Sequence, residues 1–513
     1  MYFNSFEFIF IFLPLTLAIY FLVSKLKSHR LMIYWLIFAS LFFYGWWNFK
    51  YLILIIASIL VNLFFANILN RKQSRIVLTA GILVNLIILG YFKYANFFLE
   101  NINHLTGNNF TLTKIILPLG ISFFTFQQIT FLVDTYLKKV EKFNITKYFL
   151  FVTFFPQLIA GPIVHHKEMM PQFENNLTRN FTINNFSIGL TTFVIGLFKK
   201  IVIADNVALY SDPIFFASAN GLLLTFFEAW GGATAFMLQL YFDFSGYTDM
   251  ALGIALLFGI TLPINFASPF KSKNISEFWK YWHITLTRLI RNYIYLPISL
   301  NLTRYSFNFS SNTTVTFIFS LVIPTMFAFF CVGLWHGAGW NYILFGLLNG
   351  FYIVIFNIWQ NFSKNYLKLK FKNNFLLDLF KKLLVFTLVT FSFVLFRASD
   401  MSSASEILRA MLGFNGIQFF DIFRIGEFAI NTYQGVFGII ILLAVIFYFP
   451  NTQDFIFNEN RSSFNAENKM LRKNKNIFIK WKPQKIWGLI FALAFIFSIM
   501  LVSNTNEFLY FEF

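Results

Sequence analysis

The stretch CVGLWHGAGWNYILFGLLNG, residues 331–350, decides the fold class. It joins two apolar runs, Val315–Gly333 and Trp340–Trp359, through a short break that holds His336. Each run is close to the ~20 residues an α-helix needs to cross a bilayer. A helix satisfies its backbone hydrogen bonds internally, so two such runs in tandem read as a helical hairpin in lipid.

The same signature recurs on either side. Further apolar runs cover Phe8–Val23, Leu31–Trp47, Tyr51–Leu69, Ile76–Phe98, Ile115–Tyr136, Phe186–Tyr210, Leu222–Phe242, Leu379–Phe396, Ala429–Phe449 and Ile486–Val502. Two shorter apolar pieces, Tyr148–Ile163 and Met250–Leu262, are too short or too interrupted to cross and read as re-entrant or tilted helices. Composition agrees. Of 513 residues, 58% are hydrophobic and 21% aromatic, 77 of them Phe, and mean hydropathy is +0.65. Charged residues make up 12%, against the roughly 25% usual for soluble domains. A soluble globular enzyme, a disordered chain and a secreted disulfide scaffold are excluded. The one cysteine, Cys331, forms no internal disulfide. The expected fold class is an all-α polytopic membrane protein.

Net charge is +18. Its basic residues gather between apolar runs, as positive-inside loops do. Lys25, Lys27 and Arg30; Arg71, Lys72 and Arg75; Lys138, Lys139 and Lys142; Lys364, Lys368, Lys370 and Lys372; and the loop within Asn451–Lys485 all read as cytoplasmic. Asn101–Thr113 and Ala398–Phe428 read as external, which puts both termini outside. No Walker loop, dinucleotide fingerprint, HExxH or GxSxG is present. No metal site and no resident cofactor is expected, and nucleic acid is not an expected partner.

Six histidines are candidates for chemistry. His29, His104, His165 and His166 read as loop residues with structural or surface roles. His336 stands at membrane depth between glycines 333, 337 and 339, which would let the backbone bend and a substrate approach. It is either a bonded histidine inside the bundle or a general base. His283 lies in SPFKSKNISEFWKYWHITLTRLIRNYIYLPI, residues 268–298. Phe278, Trp282, Leu286 and Leu289 follow helical spacing, so this segment reads as an amphipathic interfacial helix. It serves either as an anchor or, through Lys280, Arg288 and Arg291, as a landing site for an anionic donor such as a CoA thioester. Asp205, Asp243 and Asp249 read as helix caps or buried hydrogen-bonding groups.

QLYFDFSGYTDMALG (239–253), the segment 263–298 and VGLWHGAGWNYILFGLLNG (332–350) together resemble the core of the membrane-bound O-acyltransferase (MBOAT) family. The branch is that of alginate and peptidoglycan O-acetyltransferase membrane subunits. Residues 2–21, 117–136 and 154–173 resemble it too, so the likeness runs through nearly the whole chain. It implies a single membrane domain with N-terminal helices 1–114, a core over about 115–400 and C-terminal helices to 502. It also implies a ring of tilted helices around a thin centre where a funnel meets a tunnel. His336 matches the family's catalytic histidine and His283 its second.

The implied activity takes acetyl from a cytoplasmic thioester, acetyl-CoA, to a cell-envelope polysaccharide outside the bacterial inner membrane. Peptidoglycan is expected ahead of alginate, and D-alanyl transfer to teichoic acid is the neighbouring alternative. An extracytoplasmic SGNH-type esterase or transferase is the expected partner. The tail NEFLYFEF (506–513) resembles the aromatic terminal hexapeptide of acyl-export systems, in which Tyr510 would carry the acyl group; otherwise it is an aromatic belt anchor. A secondary transporter is the alternative from another class, and it would call for inverted repeats.

Overall fold

The computed structural model describes residues 1–26, 28–108, 110–111, 115–140, 143–173, 182–309, 312–364, 374–417, 432–456, 481–502 and 508–509. Lys368, Lys370 and Lys372, most of the basic loop before the last helix, and Tyr510 lie outside the described residues. The described residues are helical without a strand, and seven helices among them are long and apolar enough to cross a membrane. The polytopic reading therefore holds. The chain gathers into two compact units, one of residues 1–201, 245–264 and 454–512, the other of residues 202–244, 265–453 and 513.

In the first unit, helices Lys50–Arg71 and Arg75–Thr106 both pack on Ile121–Tyr136. Asn62 and Asn85, 1% and 2% exposed, exchange two amide hydrogen bonds of 3.0 and 2.8 Å between the first two of these helices. In lipid, apolar surface alone cannot drive helices together, and such amide pairs supply part of what does. The expected run from Ile115 starts its helix only at Ile121. Pro118 precedes it, and Gly120 turns at φ +69 with its missing Cβ 2.5 Å from the Leu158 carbonyl oxygen. Tyr148–Ile163 is broken as expected, into Ile145–Thr153 and Phe155–Leu158.

Met250–Leu262 departs from expectation. Most of it continues the preceding helix, giving one 32-residue helix, Phe226–Leu257. No proline interrupts it. Its glycines serve packing instead of ending it. A Cβ on Gly253 would stand 2.5 Å from the Gly189 carbonyl oxygen, and one on Gly196 2.5 Å from that of Gly246. The two pairs mark a close crossing with the helix Ile183–Phe198. Asp243 and Asp249 consequently sit mid-helix, and neither is a cap. Each is 1% exposed, and Asp249 Oδ2 is 2.6 Å from Lys199 Nζ. Asp205 opens the helix Asp205–Ala219 in its first turn. The last helix, Lys485–Met500, packs on Ile183–Phe198, with Ile188, Leu256, Ile456 and Trp481 forming a shared apolar core.

In the second unit, Ile323–His336 and Trp340–Phe362 form the hairpin expected from residues 331–350, and Phe375–Arg397 packs beside it. Asn341 Nδ2 donates to the Ala398 carbonyl at 2.9 Å, and Ser392 Oγ donates to Asn349 Oδ1 at 3.4 Å. Both bonds fix the second hairpin helix against the third.

Candidate active site around His336 and His283

His336 is the last residue of its helix and is 7% exposed. Rings of Trp335, Phe396 and Phe345 surround it edge to face, with centroids 4.7, 5.0 and 6.0 Å away. The glycines act differently from expectation. A Cβ on Gly333 would lie 2.3 Å from the Tyr342 carbonyl oxygen, and one on Gly337 2.2 Å from the Tyr342 ring. The room these two leave is filled by Tyr342, so they set the closeness of the hairpin.

Residues 275–295 are not one amphipathic helix. Two short helices, Ile275–Tyr281 and Ile284–Ile290, are separated at Trp282 and His283 and followed by a π turn, Arg291–Tyr295. His283 adopts φ +45, a left-handed conformation that a non-glycine residue seldom takes. The segment around Asn265 pairs with the groups this break releases. Ile284 N–H donates to the Asn265 carbonyl at 2.9 Å, and Ala267 N–H donates to that of Tyr281 at 3.1 Å. Phe278, Trp279, Trp282 and Leu286 are all at most 6% exposed, so the aromatic face is packed inside the unit.

His283 is 1% exposed, with Nδ1 3.1 Å from Asn265 Oδ1. That oxygen also accepts from Thr285 N–H and Oγ1, which fixes the amide's orientation. Nδ1 is therefore the protonated nitrogen and Nε2 carries the lone pair. The His283 ring meets Trp335 at 5.7 Å, the same indole that His336 touches. Fold and sequence together thus bring the two histidines, 53 positions apart, against one side chain. Asn265 was present in the sequence and carried no signal of this role, because a lone Asn in an irregular stretch has no periodicity.

The basic segment presents less charge than its composition suggests. Lys271 Nζ donates to the Phe449 carbonyl at 2.6 Å, and Lys273 Nζ is 2.5 Å from Asp378 Oδ2. Lys280 and Arg291 are exposed and Arg288 half-buried. Arg291 helps line a cavity of about 280 Å³ whose walls include Trp279, Thr287, Thr325, Phe329 and Val332. Trp279 leads from that cavity to His336 through Phe345, at 6.2 and then 6.0 Å between rings.

At the C-terminus, Phe508 is 1% exposed inside the first unit. Its ring meets Tyr247 at 4.9 Å and Tyr2 at 6.4 Å, and Lys200 Nζ stands 4.8 Å from its centroid.

The profile of the membrane-bound O-acyltransferase family matches residues 41–396. A peptidoglycan O-acetyltransferase of Helicobacter pylori is 39% identical over 446 residues, 81% of this chain and 80% of its own. A probable alginate O-acetylase AlgI of Pseudomonas putida is 34% identical and aligns over 100% of both chains. A teichoic acid D-alanyltransferase of Streptococcus thermophilus is 28% identical over 48% of this chain and 58% of its own.

Proposed function

The chain belongs to the membrane-bound O-acyltransferase family, and from that premise we propose that it passes acetyl groups from acetyl-CoA in the cytoplasm outward for O-acetylation of peptidoglycan. It is a multi-pass membrane O-acetyltransferase. The observation that carries the finer reading is His336, buried at the end of its hairpin helix and sharing Trp335 with His283.

In this reading the apolar cavity receives the donor's pantetheine arm, and Arg291, Arg288 and Lys280 meet its phosphates with charge-assisted hydrogen bonds. His336 takes the proton of the attacking hydroxyl. The oxygen bonds to the thioester carbonyl carbon, the C–S bond breaks, and the thiolate leaves with the proton that the imidazolium returns. His283 holds the donor near its carbonyl end. The phenol of Tyr510 is the first acceptor; a phenol with pKa near 10 is within reach of an imidazole base. An SGNH-type partner outside the inner membrane then moves the acetyl from the tyrosyl ester to a sugar hydroxyl.

Peptidoglycan is favoured by the Helicobacter relative's higher identity, while the end-to-end alignment with the Pseudomonas protein keeps alginate as the second reading. The test uses purified full-length protein and labelled acetyl-CoA, with mass spectrometry of the C-terminal peptide. The wild type should release CoA and acetylate Tyr510, and His336→Ala should lower both by roughly 10²–10⁴-fold. Unchanged CoA release in His336→Ala removes the general-base role. Release of acetyl to alginate but not to peptidoglycan by a strain complemented with the gene selects the second acceptor.

A further inference from the structure

Among the described residues, outside the acyl-transfer histidines, one cluster gathers ligand-type side chains that neither the mechanism nor any relative's name uses. Asp134 lies near the C-terminal end of Ile121–Tyr136, and His165 and His166 open the short helix His166–Met169. One ligand atom from each of the three lies within 4.8 Å of the others. We propose that Asp134, His165 and His166 form a binding site for a divalent transition metal, zinc foremost, that clamps the end of one helix to the start of the other.

The donor set fits. Two imidazoles and one carboxylate are a recurrent zinc combination, and imidazole favours zinc and its neighbours over magnesium or calcium. The spacing fits as well. Ligand atoms about 2.0–2.1 Å from a tetrahedral zinc stand about 3.3 Å from one another. Here Asp134 Oδ2 is 3.0 Å from His165 Nε2 and 3.8 Å from His166 Nε2.

Burial supplies an independent argument. His166 is 5% exposed, and neither ring nitrogen has a hydrogen-bond partner. A buried polar group left so is costly, and a metal would engage Nε2. Phe131 at 5.4 Å and the His165 ring at 4.2 Å hold that imidazole in place. Asp134 is 1% exposed, and its other oxygen, Oδ1, lies 3.3 Å from Lys139 Nζ. Oδ2 can then take the metal while Oδ1 keeps an outer partner, the arrangement that orients ligating carboxylates.

Binding has a definite proton balance. His165 Nδ1 now accepts a long 3.3 Å bond from Lys167 N–H, so its proton is on Nε2 and directed at Asp134. A metal on Nε2 shifts the ring's proton to Nδ1, and the Lys167 bond gives way. The competing arrangement is a hydrogen-bonded cluster of the same three residues with no metal.

The experiment uses full-length protein purified in detergent on a tag free of histidine. The protein is stripped with chelator, equilibrated with zinc or magnesium, desalted and analysed by inductively coupled plasma mass spectrometry. Wild type should retain about one zinc per chain and no magnesium, and Asp134→Asn and His166→Gln should each retain at least ~10-fold less. Zinc should also raise the melting temperature of stripped wild type, which decides the matter if either variant fails to fold. No zinc uptake by wild type, or uptake that survives both substitutions, overturns the proposal in favour of the hydrogen-bonded cluster.

Discussion

His283 does two jobs that substitution can separate. Its backbone occupies φ +45, and its ring bonds Asn265. Glycine takes this conformation without steric penalty, whereas alanine carries a Cβ into it at about 1–2 kcal/mol. His283→Gly should therefore melt above His283→Ala, while both lose donor turnover to the same degree in an acetyl-CoA assay. Equal melting of the two variants would show that the break is not strained, and full turnover in His283→Gly would reduce the imidazole to a filler. Tyr510 poses a similar question in the tail. Tyr510→Phe keeps the ring and removes only the oxygen that would bond to the acyl group. Polysaccharide acetylation in cells should fall to background while membrane insertion is unchanged; normal acetylation returns the tail to an aromatic anchor.

Helix interruptions in this chain have opposite meanings that composition does not distinguish. At Gly246 and Gly253 a helix continues, because the missing side chains let it cross Ile183–Phe198 backbone to backbone. At Trp282 and His283, with no glycine or proline, a helix stops because Asn265 and Ala267 satisfy the groups set free there. Amphipathic spacing across residues 278–289 looked continuous since both short helices bury one apolar face. Gly253→Val puts carbons where the Gly189 carbonyl oxygen and the Phe193 backbone stand. Overpacking of that kind costs about 1–3 kcal/mol. The variant should show a lower melting temperature in detergent and reduced yield, while Gly438→Val, which meets nothing within 4 Å, should not. Equal behaviour of the two would mean that the crossing is looser than its geometry.

Across the whole chain, orientation in the membrane rests on charge. With Cys331 replaced by serine, Thr106→Cys should react with an impermeant maleimide added outside intact cells, and Gln73→Cys only after permeabilisation. The reverse pattern would invert the topology and place both termini inside. The sequence by itself determined the polytopic helical class, most helix positions, the hairpin at residues 331–350 and the family, because apolar length and long ordered motifs are properties of the chain read in order. It also marked His336, since an ionisable group between apolar runs stands out locally. Only the tertiary structure decided that His283 and His336 share Trp335, that Asn265 sets the tautomer of His283, that Lys271 and Lys273 have their charges engaged, and that Asp134 meets His165 and His166. The physical reason is sequence separation. Each of those pairings joins residues many positions apart, and periodicity reports which face of an element is apolar without saying which other element that face will meet.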